Sequence, residues 1–547
     1  MRAQPSTGSP PRTHAMTATS APGFQFAYRR SADQAAVRPV RHPVVVVGAG
    51  PVGLTLAIEL ALAGVRVVLL DDADRIGEGS RAICFSKRTL EILDRLGPGE
   101  QLVAQGVTWQ RGRVFLADRE LYGFDLLPEA GHRMPAFINI QQYYVEAALV
   151  RRAGELAERI DLRWRNRVTA VEARPDGTTI TIDTPDGPYR LEADWLIACD
   201  GSRSPVRRLM GLDFTGETFD DRFLIADVRM TADFPTERWF WFQPPFHPGQ
   251  SALLHKQPDN VWRIDLQLGR GADAEVEKQP ENVIPRIERM LGHRNFTLEW
   301  VSVYTFQCRR MERFIHGRVI FAGDAAHQVS PFGARGANSG IQDAENLAWK
   351  LALLLAGEAG PGLLATYDLE RGAAADENIL NSTRATDFIA PPSPGERVLR
   401  DAALALAAET PFAKRMVNSG RLSTPTTYDT PLSTPDADLW QAAAALGAPL
   451  PDAPVCTPDG RAGFLTGHLD GRFTLIVDGP APAAEPAGLR LIALGRDLVP
   501  ADGTFAARFD SRPGSAFLVR PDGHLAARWR VHDPLQVEAA LRRAKGF

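Results

Sequence analysis

The chain has 547 residues, enough for two or three domains with a sizeable core each. Its 62 Lys and Arg nearly balance 66 Asp and Glu, for a formal net charge of −4, and the basic residues are spread along the sequence. That pattern excludes a nucleic-acid surface and leaves a small molecule as the expected partner.

The first forty residues are rich in Ser, Thr, Pro, Ala and Arg, with Asp33 the one acidic residue, and predict a flexible lead. They lack the continuous apolar core of a secretory signal. An organelle transit peptide shares their bias, and so does an upstream false start with Met16 as the true initiator. The four cysteines, Cys84, Cys199, Cys308 and Cys456, show neither C-x-x-C nor zinc spacing, so reduced thiols in a cytoplasmic protein without a metal site are expected.

An apolar run, Val44 to Val47, leads into Gly48-Ala49-Gly50-Pro51-Val52-Gly53 and then a helical stretch, Leu54 to Leu62. In such a strand, turn and helix, one glycine makes the turn, one admits a pyrophosphate close to the backbone, and one lets the helix pack on the strand. Phosphates then meet the unpaired N–H groups of a helix N-terminus. A second apolar run, Val65 to Leu70, ends in Asp71 and Asp72, an acidic position suited to a ribose hydroxyl. The stretch Leu54 to Leu70 is the most apolar in the chain, yet Glu59 and Arg66 interrupt it, so no membrane span is expected.

Further along comes Ala198-Cys199-Asp200-Gly201-Ser202-Arg203-Ser204-Pro205-Val206-Arg207. From Phe214 to Val303 the chain reads as strands between Pro, Gly and Asp turns: Phe223 to Met230, Arg238 to Phe242, Ser251 to His255 and Val261 to Leu268. In the last, Trp262, Ile264, Leu266 and Leu268 alternate with Arg263, Asp265 and Gln267, the pattern of a half-buried antiparallel sheet.

Arg318 to Ala322 is again an apolar strand, followed by Gly323-Asp324-Ala-Ala-His327 and Pro331-Phe332-Gly333-Ala334-Arg335-Gly336-Ala337-Asn338. Ile341, Ala344, Leu347, Ala348, Leu351 and Leu355 follow helical spacing. The helix N-terminus near Ala337 and Asn338 would present donors and a positive dipole end to an anionic ring system. Pro391-Pro392-Ser393-Pro394 and Ser423 to Thr427 mark linkers around a short helical stretch. Phe473 to Val477, Leu489 to Leu494 and Ala516 to Val519 then read as strands and Pro534 to Ala544 as a closing helix.

These motifs resemble the class A flavoprotein monooxygenases, the family of para-hydroxybenzoate hydroxylase and phenol hydroxylase, and the branch of 3-(3-hydroxyphenyl)propionate hydroxylase most closely. The resemblance runs from about Pro43 to Arg384. It implies an α/β fold: a discontinuous FAD-binding Rossmann-like domain over 41–390, an inserted α+β substrate domain mainly at 214–303 whose antiparallel sheet roofs the flavin, a helical and linker segment at 391–438, and a thioredoxin-like domain at 439–547 without C-x-x-C. The task expected of that last domain is packing or a homodimer contact. Cofactor contacts are implied for Gly48, Ala49, Gly50, Pro51, Val52, Gly53, Asp71, Arg81, Gln142, Asp200, Gly323, Asp324, Gly336, Ala337 and Asn338. The Asp-Gly element at Asp200 serves both FAD and the nicotinamide donor in the family. No second G-x-G-x-x-G follows a strand, and Gly269-Arg270-Gly271 lacks the third glycine, so NADH or NADPH would bind transiently.

The family's activity is hydroxylation of a phenolic aromatic by dioxygen through a flavin hydroperoxide, so the protein must place the substrate and exclude water. Pro331, Phe332 and Gly333 would line the oxygen side of the flavin. Activation of a phenol of pKa about 10 needs a base or relay. His255 is a candidate relay or an ordinary sheet histidine, and Tyr304, Gln307 and Arg309 face substrate or serve structure. His327 is expected to fix its loop. A phenolic acid is the first substrate expected and a polycyclic aromatic polyketide the second. Two rivals stand beside this reading. Trp239-Phe240-Trp241-Phe242-Gln243-Pro244 approaches the W-x-W-x-I-P signature of flavin-dependent halogenases, with Gln243 in place of isoleucine. Non-catalytic binding proteins of the same fold have degraded flavin motifs, whereas here Asp200-Gly201 and Gly323-Asp324 are intact.

Overall fold

The computed structural model describes residues 24–77, 81–417, 422–480 and 488–547, so the reading of Met16 as initiator lies outside the described residues. The strand Val40–Val47 forms the middle of a parallel sheet, between Val67–Leu70 and Tyr189–Ala198, with Val319–Phe321 beyond the latter and Ile160–Arg163 beyond the former. Val44, Val45 and Val46 are fully buried, as a β-branched run enclosed on both faces of a parallel sheet must be. The register pairs Val47 with both Ala198 and Leu70, and Ala198 with Phe321. The chain therefore leaves the sheet at Gly48, Asp71, Cys199 and Ala322 along one edge, the carboxyl ends of the strands, where open α/β sheets bind ligands. Motifs separated by up to 275 residues of sequence meet there by register.

The described part of the expected lead is not a loose tail. Phe24 and Phe26 pack on the core, Phe26 stacks on Trp164 at 4.4 Å, and its N–H donates to the Asp74 carbonyl at 2.6 Å. Asp33 accepts from Arg163 at 2.5 Å and pairs with His42 at 2.9 Å. Two aromatics within a polar, small-residue stretch carry enough apolar area to anchor it.

The second sheet has eight strands, in the order His327–Gln328, Thr297–Arg310, Thr215–Arg229, Val261–Leu268, Ser251–Lys256, Arg238–Phe242, Arg111–Leu116 and Arg119–Asp125. Its edge beyond Phe242 comes from residues well before 214, joined by a parallel pairing of Arg238–Phe242 with Arg111–Leu116. The alternation in Val261–Leu268 does separate two faces, but neither is open to water. Trp262, Ile264, Leu266 and Leu268 join Leu224, Ala226 and Val228 under the helix Pro280–Leu291, which inserts Val283 and Ile287. Most of the polar set is also enclosed, with Arg263 and Gln267 buried and Asp265 half-buried, because this face closes over the first domain.

The C-terminal domain is a mixed sheet, Arg490–Leu494, Thr474–Asp478, Ala516–Val519 and Leu525–Trp529, with the first pair parallel and the others antiparallel. The helix Pro534–Ala544 covers it through Val537, Ala540, Leu541 and Ala544. This unit is joined to the first domain by buried charge. Glu370 accepts from Lys350 at 2.7 Å and from Arg520 at 2.7 Å, Asp522 takes the Trp349 indole N–H at 3.0 Å as well as Arg520, and these four charged side chains have at most 1% exposure. Removing one partner of such a cluster leaves charge stranded in a medium that cannot solvate it. The substitution Glu370→Gln is expected to cost about 3–5 kcal/mol, read as a lower urea midpoint at which both domains unfold together.

Candidate active site

Each glycine of the first turn has a distinct constraint. Gly48 has φ +103°, and a Cβ there would lie 2.4 Å from the Cys199 carbonyl oxygen. A Cβ on Gly53 would lie 1.9 Å from the Gly48 oxygen, so this residue sets the closeness of helix and strand. A Cβ on Gly50 would meet nothing within 4 Å, which leaves an open cradle in front of the helix Pro51–Leu62. Val52 fills the other side and touches the positions where Gly323 and Gly340 would carry side chains. Asp71 is tied to this loop: one carboxylate oxygen accepts from Ala49 N–H at 2.6 Å and the other from Ala73 N–H at 2.9 Å. Burial raises its pKa against those two bonds. Its lone pairs beyond the two bonds are what remain for a ribose hydroxyl.

The Asp-Gly and Gly-Asp elements are stitched together. Arg207 donates to the Ala325 carbonyl at 2.6 Å and Gln328 to the Ser202 carbonyl at 2.8 Å. Asp200 accepts from Val206 N–H at 2.9 Å, while its Oδ1 is buried with no partner. Gly323 turns at φ +62°. Asp324 is exposed to the space between this turn and the helix Gly336–Ala356, yet its pKa is raised because protein encloses it on most sides. Exposure and desolvation together describe a carboxylate lining a narrow cleft. Gly336 and Ala337 open the helix at the far side of that cleft with their N–H groups outside the helical ladder.

Other expected contacts turn out to be structural ties. Asn338 accepts from Ser86 N–H at 2.9 Å and donates to the Cys84 and Ala334 carbonyls, so its side chain is committed to protein. Gln142 accepts from Ala82 N–H at 3.0 Å and donates to Glu146 at 2.8 Å, and Glu146 accepts from Gly77 N–H at 2.8 Å. Together they clamp both ends of the segment that carries Arg81, whose exposed charge reaches Asp324 and Tyr304. His327 is indeed a fixing residue: its Nε2 lies 2.6 Å from Asp343. Asp343 also accepts from Gly323 N–H at 2.9 Å and from Arg371 at 2.6 Å. Asp343 and Arg371 were missed as site residues, although Asp343 closes the Gly-Asp motif; an acidic residue on an otherwise apolar helix face was the available signal.

The roof sheet and the long helix Ala365–Ile389 enclose a cavity of about 680 Å³, including its open mouth. Val114, Phe124, Phe240, Phe242, Phe332 and Phe388 form much of its wall, with Gly333, Arg238 and Arg335 beside them. Phe332 is held edge-on to Phe223 and Phe306 at 4.8 and 5.3 Å, and Gly333 takes φ +99°, where a Cβ would strike Arg335 at 2.9 Å. Pro331 is exposed. Tyr304 packs in the same aromatic group, whereas strand alternation puts Gln307 on the opposite face, with Thr218 as its pairing partner on the next strand, so Gln307 is not placed to touch a ligand here. Arg309 donates to Thr218 and serves structure. Trp239 and Trp241 pack on the outer face of the sheet; Phe240 and Phe242 alone of that run face the cavity. His255 is buried on the inner face, opposite Arg263 in register, with Nδ1 unpartnered. Among the described residues no group of His, Cys, Asp and Glu could hold a metal ion, and no helix is long and apolar enough to cross a membrane.

An FAD fits what is present. The cradle at Gly50 is empty of protein, the Asp200 Oδ1 has no protein donor, and Asp324 and Gly336 face each other beyond the end of the neighbouring strand. A profile of the family described as an FAD binding domain matches residues 41–382. The chain is similar to the 12-dehydrotetracycline 5-monooxygenase/anhydrotetracycline 6-monooxygenase of Streptomyces rimosus, 33% identical over 510 residues that cover 89% of this chain and 95% of that one. It is also similar to the 3-(3-hydroxy-phenyl)propionate/3-hydroxycinnamic acid hydroxylase of Mycolicibacterium smegmatis, 31% identical over 384 residues, 68% of this chain and 66% of the relative. Among solved structures, the anhydrotetracycline hydroxylase OxyS from Streptomyces rimosus superposes with a TM-score of 0.73 at 30% identity and covers 93% of this chain and all of its own.

The two glycines give opposite expectations. Gly53→Ala forces a backbone collision and should cost about 3 kcal/mol or more of stability. Gly50→Ala should leave the unfolding free energy of the apoprotein within about 1 kcal/mol of wild type while weakening FAD at least about tenfold, measured by flavin fluorescence on reconstitution.

Proposed function

The chain belongs to the FAD-binding-domain family and is an FAD-dependent aromatic-ring monooxygenase, and on that premise we propose that it hydroxylates a fused-ring phenol held in the cavity beside Phe332. FAD is the cofactor and NAD(P)H the reductant; bound, the flavin supplies the activation of dioxygen. The chain supplies placement and exclusion of water. Gly50 and the N–H groups opening Pro51–Leu62 would receive the pyrophosphate, Asp71 a ribose hydroxyl, and the N-terminus at Gly336 and Ala337 the polar edge of the ring. Phe332 and Gly333 would form the wall between that ring and the substrate.

The observation that carries the substrate reading is the cavity itself. Five phenylalanines and Val114 line it, a largely apolar wall suited to the flat, apolar body of a fused-ring phenol. The relative that acts on tetracycline intermediates matches over 95% of its length, which is the same choice. A single-ring phenolic acid is the second reading, favoured by Arg238 and Arg335 at the wall, either of which could hold a carboxylate. Halogenation loses its motif, because Trp239 and Trp241 face away from the cavity.

The test is NADH and NADPH oxidation by the FAD-loaded protein with anhydrotetracycline and 3-(3-hydroxyphenyl)propionate in parallel, with products read by mass spectrometry and peroxide assayed. Oxidation stimulated by the fused-ring phenol, with gain of one oxygen, is expected. Turnover of the phenylpropionate alone would move the assignment to the second reading, and a protein that binds no flavin would end both.

A further inference from the structure

We propose that Arg238, His255 and Asp265, on the inner face of the roof sheet, form the site that takes the acidic hydroxyl of the substrate: Arg238 holds the oxyanion and Asp265 receives the proton through His255. The inference rests on the reading of the cavity as a phenol site and names the base for it.

The strand register brings the three together. Arg238–Phe242 pairs with Ser251–Lys256 so that Arg238 adjoins His255, and His255 lies directly opposite Arg263, with Asp265 two residues further along the same face. Side chains in this diagonal relation are about 7–8 Å apart at their roots, within reach of Arg and His. Arg238 lines the cavity together with Phe332 and Gly333, so the row begins at the wall where a substrate would lie.

The same face shows what a purely structural polar set looks like. Arg263 makes a two-point bond to Asp227 at 2.8 and 2.9 Å, and Gln267 accepts from Ser251 N–H at 3.0 Å. By contrast Arg238 Nη1, His255 Nδ1 and Asp265 Oδ1 are buried with no hydrogen-bond partner. An orphan donor or acceptor in such a place costs about 1–3 kcal/mol, and three orphans on neighbouring strands, with Arg238 in the cavity wall, point to a ligand that completes them.

Their charge states suit the task. Burial raises the Asp265 carboxyl to about 6 against the pull of Arg263 and Arg238, so it is ionised at neutral pH and a better proton acceptor than an ordinary aspartate. Burial and the same two arginines hold His255 neutral, able to take a proton on one nitrogen as it gives one from the other. The remaining titratable groups facing the cluster are Asp227, bound to Arg263, Tyr304 with its phenol pushed up by burial, and Cys84 with its thiol pushed up to about 11. None of these competes as a base: Asp227 is committed, and the other two are protonated. In the step, the phenolic O–H bond breaks, the proton ends on Asp265 as a neutral carboxylic acid, and the electron pair stays on the oxygen opposite the Arg238 guanidinium.

The experiment uses 2-naphthol, a fused-ring phenol whose absorbance reports its ionisation, with FAD-loaded protein at about pH 8, above Asp265 and below the ordinary phenol value of about 10. Wild type should bind it as naphtholate without releasing a proton to a weakly buffered indicator solution, because the naphtholate charge beside Asp265 raises its carboxyl further above the value of about 6 it has without that anion. Asp265→Asn should either release one proton per naphtholate bound or bind only neutral naphthol, and His255→Gln should slow naphtholate formation. Arg238→Met should lose the naphtholate signal at least tenfold in affinity and Arg238→Lys should restore part of it. Melting points and FAD content equal to wild type separate these effects from misfolding. Binding of neutral naphthol by wild type, no binding, full proton release by wild type, or variants that behave as wild type would each overturn the assignment. Those outcomes with normal flavin content and phenol-stimulated NAD(P)H oxidation would leave the monooxygenase reading standing; loss of flavin and oxidation would sink that reading itself.

Discussion

Asp343 is the point on which the site depends. A carboxylate with no exposure receives the Gly323 N–H, the His327 ring and the Arg371 guanidinium, and so joins the Gly-Asp turn, the helix Gly336–Ala356 that carries it and the long helix Ala365–Ile389. Burial alone would push its pKa up; His327 and Arg371 outweigh that and hold it below the usual range. Arg371 goes on to the Tyr428 hydroxyl at 2.8 Å and to Ser339, so the position of the turn is fixed from four segments of chain at once. A turn with positive φ at Gly323 and an accessible Asp324 keeps its geometry only because its backbone is held by a group that cannot move independently.

Around that anchor, the two sheets divide the labour. The parallel sheet collects the strand ends at one edge, and the roof sheet closes over it with a face that is polar but dry. Low dielectric strengthens the interactions of Arg238, Asp265 and Arg263 with whatever enters. It also makes the unpartnered atoms of Arg238, His255 and Asp265 costly, a cost that a complementary ligand would relieve.

Much of this was legible in the residues. The order of strand, glycine turn and helix at 44–62 and 318–355 is written in local periodicity and turn chemistry, and the faces of Val261–Leu268 follow from its alternation. What the alternation could not tell is which environment the polar face meets, because period two distinguishes sides and not water from protein. The parallel pairing of Arg111–Leu116 with Arg238–Phe242 left no local mark, since parallel partners share no turn. Asn338 and Gln142 stand where ligand contacts were expected, but their side chains are bonded to neighbouring protein groups; a sequence shows an amide and not which of its four hydrogen bonds are taken. The anchoring of Phe24 and Phe26 was hidden by the composition around them.

The buried pairing of Arg520 with Glu370 bears on how the chain is made. Lys350 and Glu370 belong to helices near the end of the first domain, yet the second cation for Glu370 lies 150 residues later, within the last strands of the chain. During synthesis, which proceeds from the N-terminus, the flavin domain has all of its own strands well before that arginine leaves the ribosome. Until then Lys350 and Glu370 can pair with each other, but Glu370 lacks its second cation and Trp349 its indole acceptor, so the surface that these two helices turn to the later strands stays uncovered until those strands fold onto it.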